Sequence, residues 1–358
     1  MEGAIGRGID CLSREPRVTR HIPKTRSPGK ETISVYLLSE MTKERSRPRR
    51  HRSAGSNRNM RIVITGANSA LGRAILRCRS EPGAPPNELV AAVRSERAAD
   101  QIRPLLGEGS SAVQISYDDP GSLDAAFRGA SAIVHLAGIL VERPGSTYEQ
   151  ANVASARSVV EAAKRCGAEK FVLVSATGAD EASSNGYYRS KGQAEAMVRG
   201  SGLCYTILRA PLLLGGATEG AAALKRNASL RKAMLIGGGR NFQQPLYVDD
   251  LARAAIAASQ SSVASNRTVD LVGPVSLPER ELVERAARAL GHEVRVRSIS
   301  KGLLSFVLAI RQRVFGPGFS PDVVDVITTN TRLDPQPAAS ELGIHLTGID
   351  EMIKKSLG

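Results

Sequence analysis

From residue 60 onward the chain alternates short β-branched apolar runs with longer stretches in which apolar positions recur every three or four residues. The strand-like runs lie at 61–65, 88–93, 112–116, 132–136, 170–174 and 204–208. Helical spacing fills the intervals; residues 148–166, for example, keep Val153, Val160 and Ala163 on one face and stop at Gly167. Strands alternating with helices imply right-handed crossovers and a parallel sheet covered on both faces. The pattern therefore predicts an α/β chain with a doubly wound parallel sheet, its ligand site beyond the carboxyl ends of the strands.

After Leu208 the regularity loosens through two glycine-rich runs, 215–220 and 237–240. Residues 248–256 read as a helix start with an Asp accepting from the free N–H groups, and a further helical pattern occupies 278–290. The expected division is residues 60–258 for the sheet domain and 259–358 for a smaller mixed C-terminal lobe over the substrate end, with 213–246 contributing. Residues 1–59 stand apart. They are rich in Arg, Ser, Pro and Lys, end in the run Lys43-Glu-Arg-Ser-Arg-Pro-Arg-Arg-His-Arg52 and show no sustained periodicity, which predicts a disordered basic arm. Such an arm is a solvated tail, a targeting segment, or a leader in front of a start at Met60.

Charge follows the same division. The formal net charge is +14, and residues 1–59 carry +8 of it, from 14 Lys/Arg against 6 Asp/Glu. The arm has one aromatic, Tyr36, to stack on bases and no recognisable nucleic-acid module, so no nucleic-acid partner is expected. Cys11, Cys78, Cys166 and Cys204 are scattered, with no Cys-x-x-Cys pair and no His at ligand spacing. They predict free thiols in a reducing compartment, a cytoplasmic location and no metal site. The longest apolar run, Gly302-Leu-Leu-Ser-Phe-Val-Leu-Ala-Ile310, is far short of the ~20 residues a membrane helix needs, so no span is expected. Association with a membrane complex stays compatible with that.

The first strand breaks into Thr65-Gly-Ala-Asn-Ser-Ala-Leu-Gly72, and a helical pattern follows. Gly66 lets the chain turn sharply, Gly72 lets the helix pack close, and the free N–H groups at the helix start attract a pyrophosphate. Gly66, Asn68, Ser69, Ala70, Leu71 and Gly72 are therefore expected to bind a dinucleotide. The second strand ends at Arg94, where an NAD-specific protein would carry an acid for the ribose hydroxyls. A guanidinium there suits a 2′-phosphate, so NADP(H) is favoured over NAD(H). His135 lies inside an apolar strand and is expected to be a core histidine.

Tyr187-Tyr188-Arg189-Ser190-Lys191 follows the fifth strand, which ends Val174-Ser175-Ala176-Thr177. Four-residue spacing puts Tyr187 and Lys191 on one helical face, where the ammonium is expected to lower the phenol's pKa. The phenol could then exchange a proton with a carbonyl or alcohol while hydride moves to or from a nicotinamide. Thr177 or Ser175 would hold the same substrate oxygen.

Together these runs resemble the short-chain dehydrogenase/reductase superfamily in its extended or atypical, epimerase/dehydratase-like form. Thr65, Gly66 and Gly72 match its Thr-Gly-x-x-Gly-x-x-Gly loop. His135-Leu-Ala-Gly-Ile-Leu-Val141, Phe171-Val-Leu-Val-Ser-Ala-Thr-Gly-Ala179, Tyr187-Tyr-Arg-Ser-Lys-Gly-Gln-Ala-Glu195, Ile207-Leu-Arg-Ala-Pro-Leu-Leu-Leu-Gly215 and Gln244-Pro-Leu-Tyr-Val-Asp-Asp-Leu-Ala252 are similar to the group containing the nucleotide-binding accessory subunit of mitochondrial complex I. The resemblance implies a Rossmann-type fold. It also implies backbone contacts from Leu136, Ala137 and Gly138 to the cofactor, a further contact at Pro211, and Lys191 on the nicotinamide ribose. The chain departs from the pattern at Ser69, in place of the middle glycine, and at Ser116, where an Asp commonly meets adenine. Only nine residues separate Thr177 from Tyr187, which makes a sugar-nucleotide substrate a poorer fit. The resulting expectation is an NADP(H)-dependent oxidoreductase or epimerase acting on a small carbonyl or alcohol. The alternative is a non-catalytic NAD(P)H binder with a structural, assembly or sensing role.

Overall fold

Thr65 pairs with Ala92 on one side and His135 on the other, which puts the first strand at the centre of the sheet. The computed structural model describes residues 60–78 and 87–358; the expectations for the basic arm and Cys11 lie outside them. In chain order the first half comprises β1 (Arg61–Thr65), α1 (Ala70–Cys78), β2 (Glu88–Val93), α2 (Glu96–Ile102), β3 (Ser111–Gln114), α3 (Pro120–Phe127), β4 (Ala132–His135), α4 (Ser155–Arg165), β5 (Lys170–Ala176), α5 (Gly186–Arg199) and β6 (Tyr205–Ala210). Then come β7 (Leu213–Leu214), α6 (Glu219–Ala228), β8 (Lys232–Ile236), β9 (Phe242–Gln243), β10 (Leu246–Tyr247), α7 (Val248–Ala258), β11 (Arg267–Asp270), β12 (Leu277–Pro278), α8 (Glu279–Ala289), β13 (Arg295–Ile299), α9 (Lys301–Phe315), α10 (Pro321–Thr328), α11 (Gln336–Leu342) and α12 (Ile349–Leu357).

The main sheet has seven parallel strands in the order β11-β6-β5-β4-β1-β2-β3. This is the expected Rossmann-type doubly wound architecture. Its growth reverses between β1 and β4, and the crevice opens beyond their carboxyl ends. Alternate residues of each central strand feed two layers, because both faces of a parallel sheet are covered. Ile62, Ile64 and Val134 pack with α1 and α7, whereas Val63, Ile133 and Phe171 pack with α3, α4 and α5. A third cluster, including Leu214, Leu235, Leu282, Ala286 and Met352, joins β7, α6 and β8 to α8 and α12.

All six expected strands form, β1 and β2 at the expected bounds and the other four with shifted ends; β5 and β6 each run two residues further. The seventh, β11, has no apolar signature, because as an edge strand it buries only Val269. Two expectations change. Residues 148–166 are not one α-helix, since Glu149–Ala154 winds as a π-helix before α4 begins, and the wider turn carries Asn152 inward. Nor does an Asp cap α7. Tyr247 holds the cap position, and the buried Asp250 accepts from the Thr347 N–H at 2.7 Å and its hydroxyl at 2.8 Å. Both Asp249 and Asp250 still sit in the first turn, where the helix dipole favours them. Among the described residues no helix is long and apolar enough to cross a membrane.

Candidate functional site

The turn after β1 depends on its glycines. Gly66 has φ +73°, and a Cβ there would stand 3.1 Å from Ala137 N, so this position keeps β1 and the end of β4 in close approach. A Cβ on Gly72 would lie 2.4 Å from the Ala67 carbonyl oxygen, which fixes α1 tightly against the turn. Ser69, the departure from the glycine pattern, secures the helix start, where its hydroxyl accepts from the Gly72 N–H at 3.1 Å and caps α1.

Above this turn opens a cavity of about 830 Å³. Gly66, Asn68, Ser69, Arg94, Leu136, Ala137 and Gly138 line it, so most of the expected nucleotide contacts surround one space. Ala70, Leu71, Gly72, Lys191 and Pro211 do not line it. Leu71 and Gly72 are buried in the first helical turn beneath it, and Pro211 is half-buried beyond β6. Ser116, Asp118 and Asp119 face the same cavity from the loop after β3, with Arg94 exposed at its rim.

His135 is fully buried. Its Nδ1 shares a 2.7 Å hydrogen bond with the Thr65 hydroxyl, and Nε2 has no partner. Burial first, then the charge of Lys191, holds its pKa down to about 3, so the ring is neutral. Lys191 lies one helical turn beyond Tyr187 on α5, and its ammonium donates to the Val174 carbonyl at 2.9 Å. A Cβ on Gly138, which lines the cavity, would stand 3.5 Å from that ammonium, so Lys191 lies just behind the cavity wall. Burial lowers its pKa to about 8, with Glu195 opposing.

Tyr187 is half-buried among Tyr148 and Tyr188, at ring separations of 6.0 and 5.6 Å. Burial, then the two neighbouring phenols, pushes its pKa above the ordinary tyrosine value. This corrects the expectation that Lys191 lowers it, since the ammonium is engaged by Val174. The two candidate hydroxyls at the end of β5 also differ. Ser175 is buried and donates to Glu195 at 2.6 Å, so it belongs to an ion cluster with Arg199 and Arg209. The Thr177 hydroxyl is buried with no partner.

Two residues were missed by sequence reasoning. Asn152 donates to Ser190 at 2.8 Å and to the Ile139 carbonyl at 3.2 Å, and accepts from the Ile139 N–H at 2.8 Å. Ser190 in turn donates to the Tyr187 carbonyl, so Asn152 ties the end of β4 to the turn of α5 that carries Tyr187. A lone Asn beside Val153 in an otherwise apolar face was the available signal. Glu195 was the other, four residues beyond Lys191 on the same face. Among the described residues no cluster of His, Cys, Asp and Glu could hold a metal.

A glycine turn between β1 and α1 and a cavity at the β1/β4 reversal mark a Rossmann-type fold. A family model described as NAD(P)H-binding matches residues 66–235. The chain is 27% identical over 248 residues to a ceramide reductase of Caulobacter vibrioides, covering 68% of this chain and 75% of that one. It is 28% identical over 258 residues to the mitochondrial NADH dehydrogenase [ubiquinone] 1 alpha subcomplex subunit 9 of Arabidopsis thaliana, covering 70% of this chain and 63% of the subunit. The crystal structure of Citrobacter sp. triphenylmethane reductase with NADP(H) superimposes with a TM-score of 0.65 at 20% identity, over 83% of this chain and all of that one. At that identity the likeness shows the fold alone.

Proposed function

We propose that the chain binds NADP(H) in preference to NAD(H) and reduces a small carbonyl compound. The observation that carries this reading is the buried Lys191 ammonium beside Gly138 of the cavity wall, one turn from Tyr187. The cavity residues fit the cofactor: a Cβ at Gly66 would crowd the passage, the N–H groups opening α1 suit a pyrophosphate, and Arg94 suits a 2′-phosphate.

When bound, NADPH supplies the hydride for the carbonyl carbon. Lys191 holds the ribose hydroxyls, Tyr187 delivers its proton to the carbonyl oxygen, and Thr177 donates a hydrogen bond to that oxygen. A phenol whose pKa is raised by burial stays protonated at neutral pH, the form that reduction consumes, so the same burial disfavours alcohol oxidation. Residues 60–258 form the nucleotide domain in this reading, joined by β11 (Arg267–Asp270), which lies within the expected C-terminal lobe yet completes the edge of the sheet. The rest of 259–358, with 213–246, forms the lobe over the substrate. Free Cys166 and Cys204 suit a reducing compartment, which supports a cytoplasmic location.

Tyr187→Phe tests the assignment, because it removes one hydroxyl and keeps the ring. The variant should bind NADPH as the parent does and lose ~10²–10⁴-fold in NADPH oxidation on whichever quinone or aldehyde the parent turns over. Full activity would remove Tyr187 from the reaction. A second reading, a nucleotide binder without turnover, is favoured by the raised phenol, by the Lys191–Val174 contact and by the similarity to a complex I subunit. A parent protein that retains nucleotide yet oxidises no NADPH with any carbonyl tested would select it.

A further inference from the structure

Helix α9 carries its apolar face outward. Leu303, Phe306, Val307, Ile310 and Val314 are each between 49% and 66% exposed, and Phe315 at the helix end is 76% exposed. At roughly 100° per residue the first five fall within an arc of about 100°, the width a surface helix normally turns toward the core. Helices α8 and α12 do turn theirs inward, through Leu282, Val283, Met352 and Ile353. In α9 only Leu308 is buried.

The charge around this face is one-sided. Between Glu293 and Asp322 the chain has no carboxylate, and it carries Arg295, Arg297, Lys301, Arg311 and Arg313. On the helical wheel Arg311 and Arg313 lie roughly 80° to either side of Leu303, one along each edge of the apolar stripe. Lys301 is anchored to Asp325 of α10 at 2.9 Å. An apolar stripe with a cation on each edge fits the boundary between acyl chains and anionic headgroups, where the apolar residues sink in and the guanidiniums meet phosphate. A second copy of this chain fits poorly, since facing stripes would bring like charges together.

We propose that α9 is an interfacial helix that docks the protein on an anionic lipid surface, lying in its plane without spanning it. α10 packs beside α9, and Asp322 of α10 accepts from the Gly186 N–H at 2.9 Å at the start of α5. Docking therefore orients the end of the molecule that carries Tyr187 toward the lipid. The proposal stands whether or not the site turns over a substrate.

Flotation of the full-length protein with vesicles is the test. Binding is expected to phosphatidylglycerol-containing vesicles, and not to pure phosphatidylcholine, and to weaken in high salt. Arg311→Ala with Arg313→Ala should reduce partitioning roughly thirtyfold, from about one cation's attraction each. Phe306→Glu with Ile310→Glu should abolish it while the thermal melt stays at the parental value, since both side chains are exposed. No binding to either vesicle would overturn the proposal. So would binding that survives Phe306→Glu with Ile310→Glu, which would assign the attraction to the basic residues 1–59. A dimer in sedimentation equilibrium that the glutamate variant dissolves would identify the stripe as a self-interface instead.

Discussion

The hydroxyl of Ser175 donates to Oε1 of Glu195 at 2.6 Å, and Arg209 closes on the same carboxylate through two further bonds of 2.9 and 2.6 Å. Glu195 has no exposure to solvent, so these donors balance a charge that would otherwise be stranded. Thr177, two residues on, leaves a buried hydroxyl unpaired. The strand end thus carries one hydroxyl that holds the fold, with a second just beyond it that has no protein partner.

Ser175→Ala should lower stability by about 1–3 kcal/mol, the cost of leaving a buried acceptor short of a donor, while nucleotide binding and turnover persist. Thr177→Val should melt near the parent and lose turnover. Urea unfolding and NADPH oxidation measured on both variants decide between them. An inactive Ser175→Ala with parental stability would return the substrate-positioning role to Ser175.

Arg94→Ala addresses cofactor choice. A charge-assisted contact to a 2′-phosphate is worth about 1.5–3 kcal/mol, so the variant should lose roughly ten- to hundredfold in NADPH affinity and nothing in NADH affinity. Calorimetry with both nucleotides reads this directly. Equal affinities in the parent would show that Arg94 meets solvent only.

The glycine turn was legible because it rests on backbone needs that few residues meet. Gly66 must take a positive φ, Gly72 must clear Ala67, and both demands are visible as glycines at fixed spacing after an apolar strand. The sheet was legible for the same reason: doubly covered parallel strands are continuous apolar runs. What escaped depends on contacts between distant segments. Asn152 reaches Ser190 only because a π-helix shifts it inward, and no local propensity announces that turn. Asp250 looked like a cap, yet Thr347, ninety-seven residues away, takes its carboxylate. The pKa of Tyr187 also lay beyond the sequence, since spacing gives the distance to Lys191 but not the Val174 carbonyl that engages the ammonium.

His135 should shape the acid limb of stability. Its folded pKa of about 3 lies below the ordinary value of 6.5, so the unfolded chain binds the extra proton first and stability falls as pH drops from 6.5 toward 3. His135→Leu should remove that part of the slope. At neutral pH it should cost about 1–3 kcal/mol, because the buried Thr65 hydroxyl loses the ring nitrogen. Chemical denaturation at pH 7 and pH 5 in both proteins gives the comparison. An unchanged slope would mean that other groups set the acid limb.

Lys191 governs the alkaline side, and with opposite consequences for binding and folding. Burial depresses its pKa to about 8 from the ordinary 10.5, so the ammonium that is proposed to meet the ribose hydroxyls is charged below pH 8 and lost above it. NADPH affinity should therefore decline as pH rises through 8. Stability should move the other way. Between pH 8 and 10.5 the unfolded chain binds a proton that the native chain has released, so the native state gains as pH climbs through that window. Lys191→Met should weaken NADPH binding at pH 7, flatten its pH dependence near 8 and remove the alkaline rise in stability. Titrations of NADPH from pH 7 to pH 9.5, paired with denaturation over the same range, separate the two effects. If the methionine variant binds NADPH as tightly as the parent at pH 7, the ammonium does not reach the nucleotide, and Lys191 serves only to tie α5 to the Val174 carbonyl.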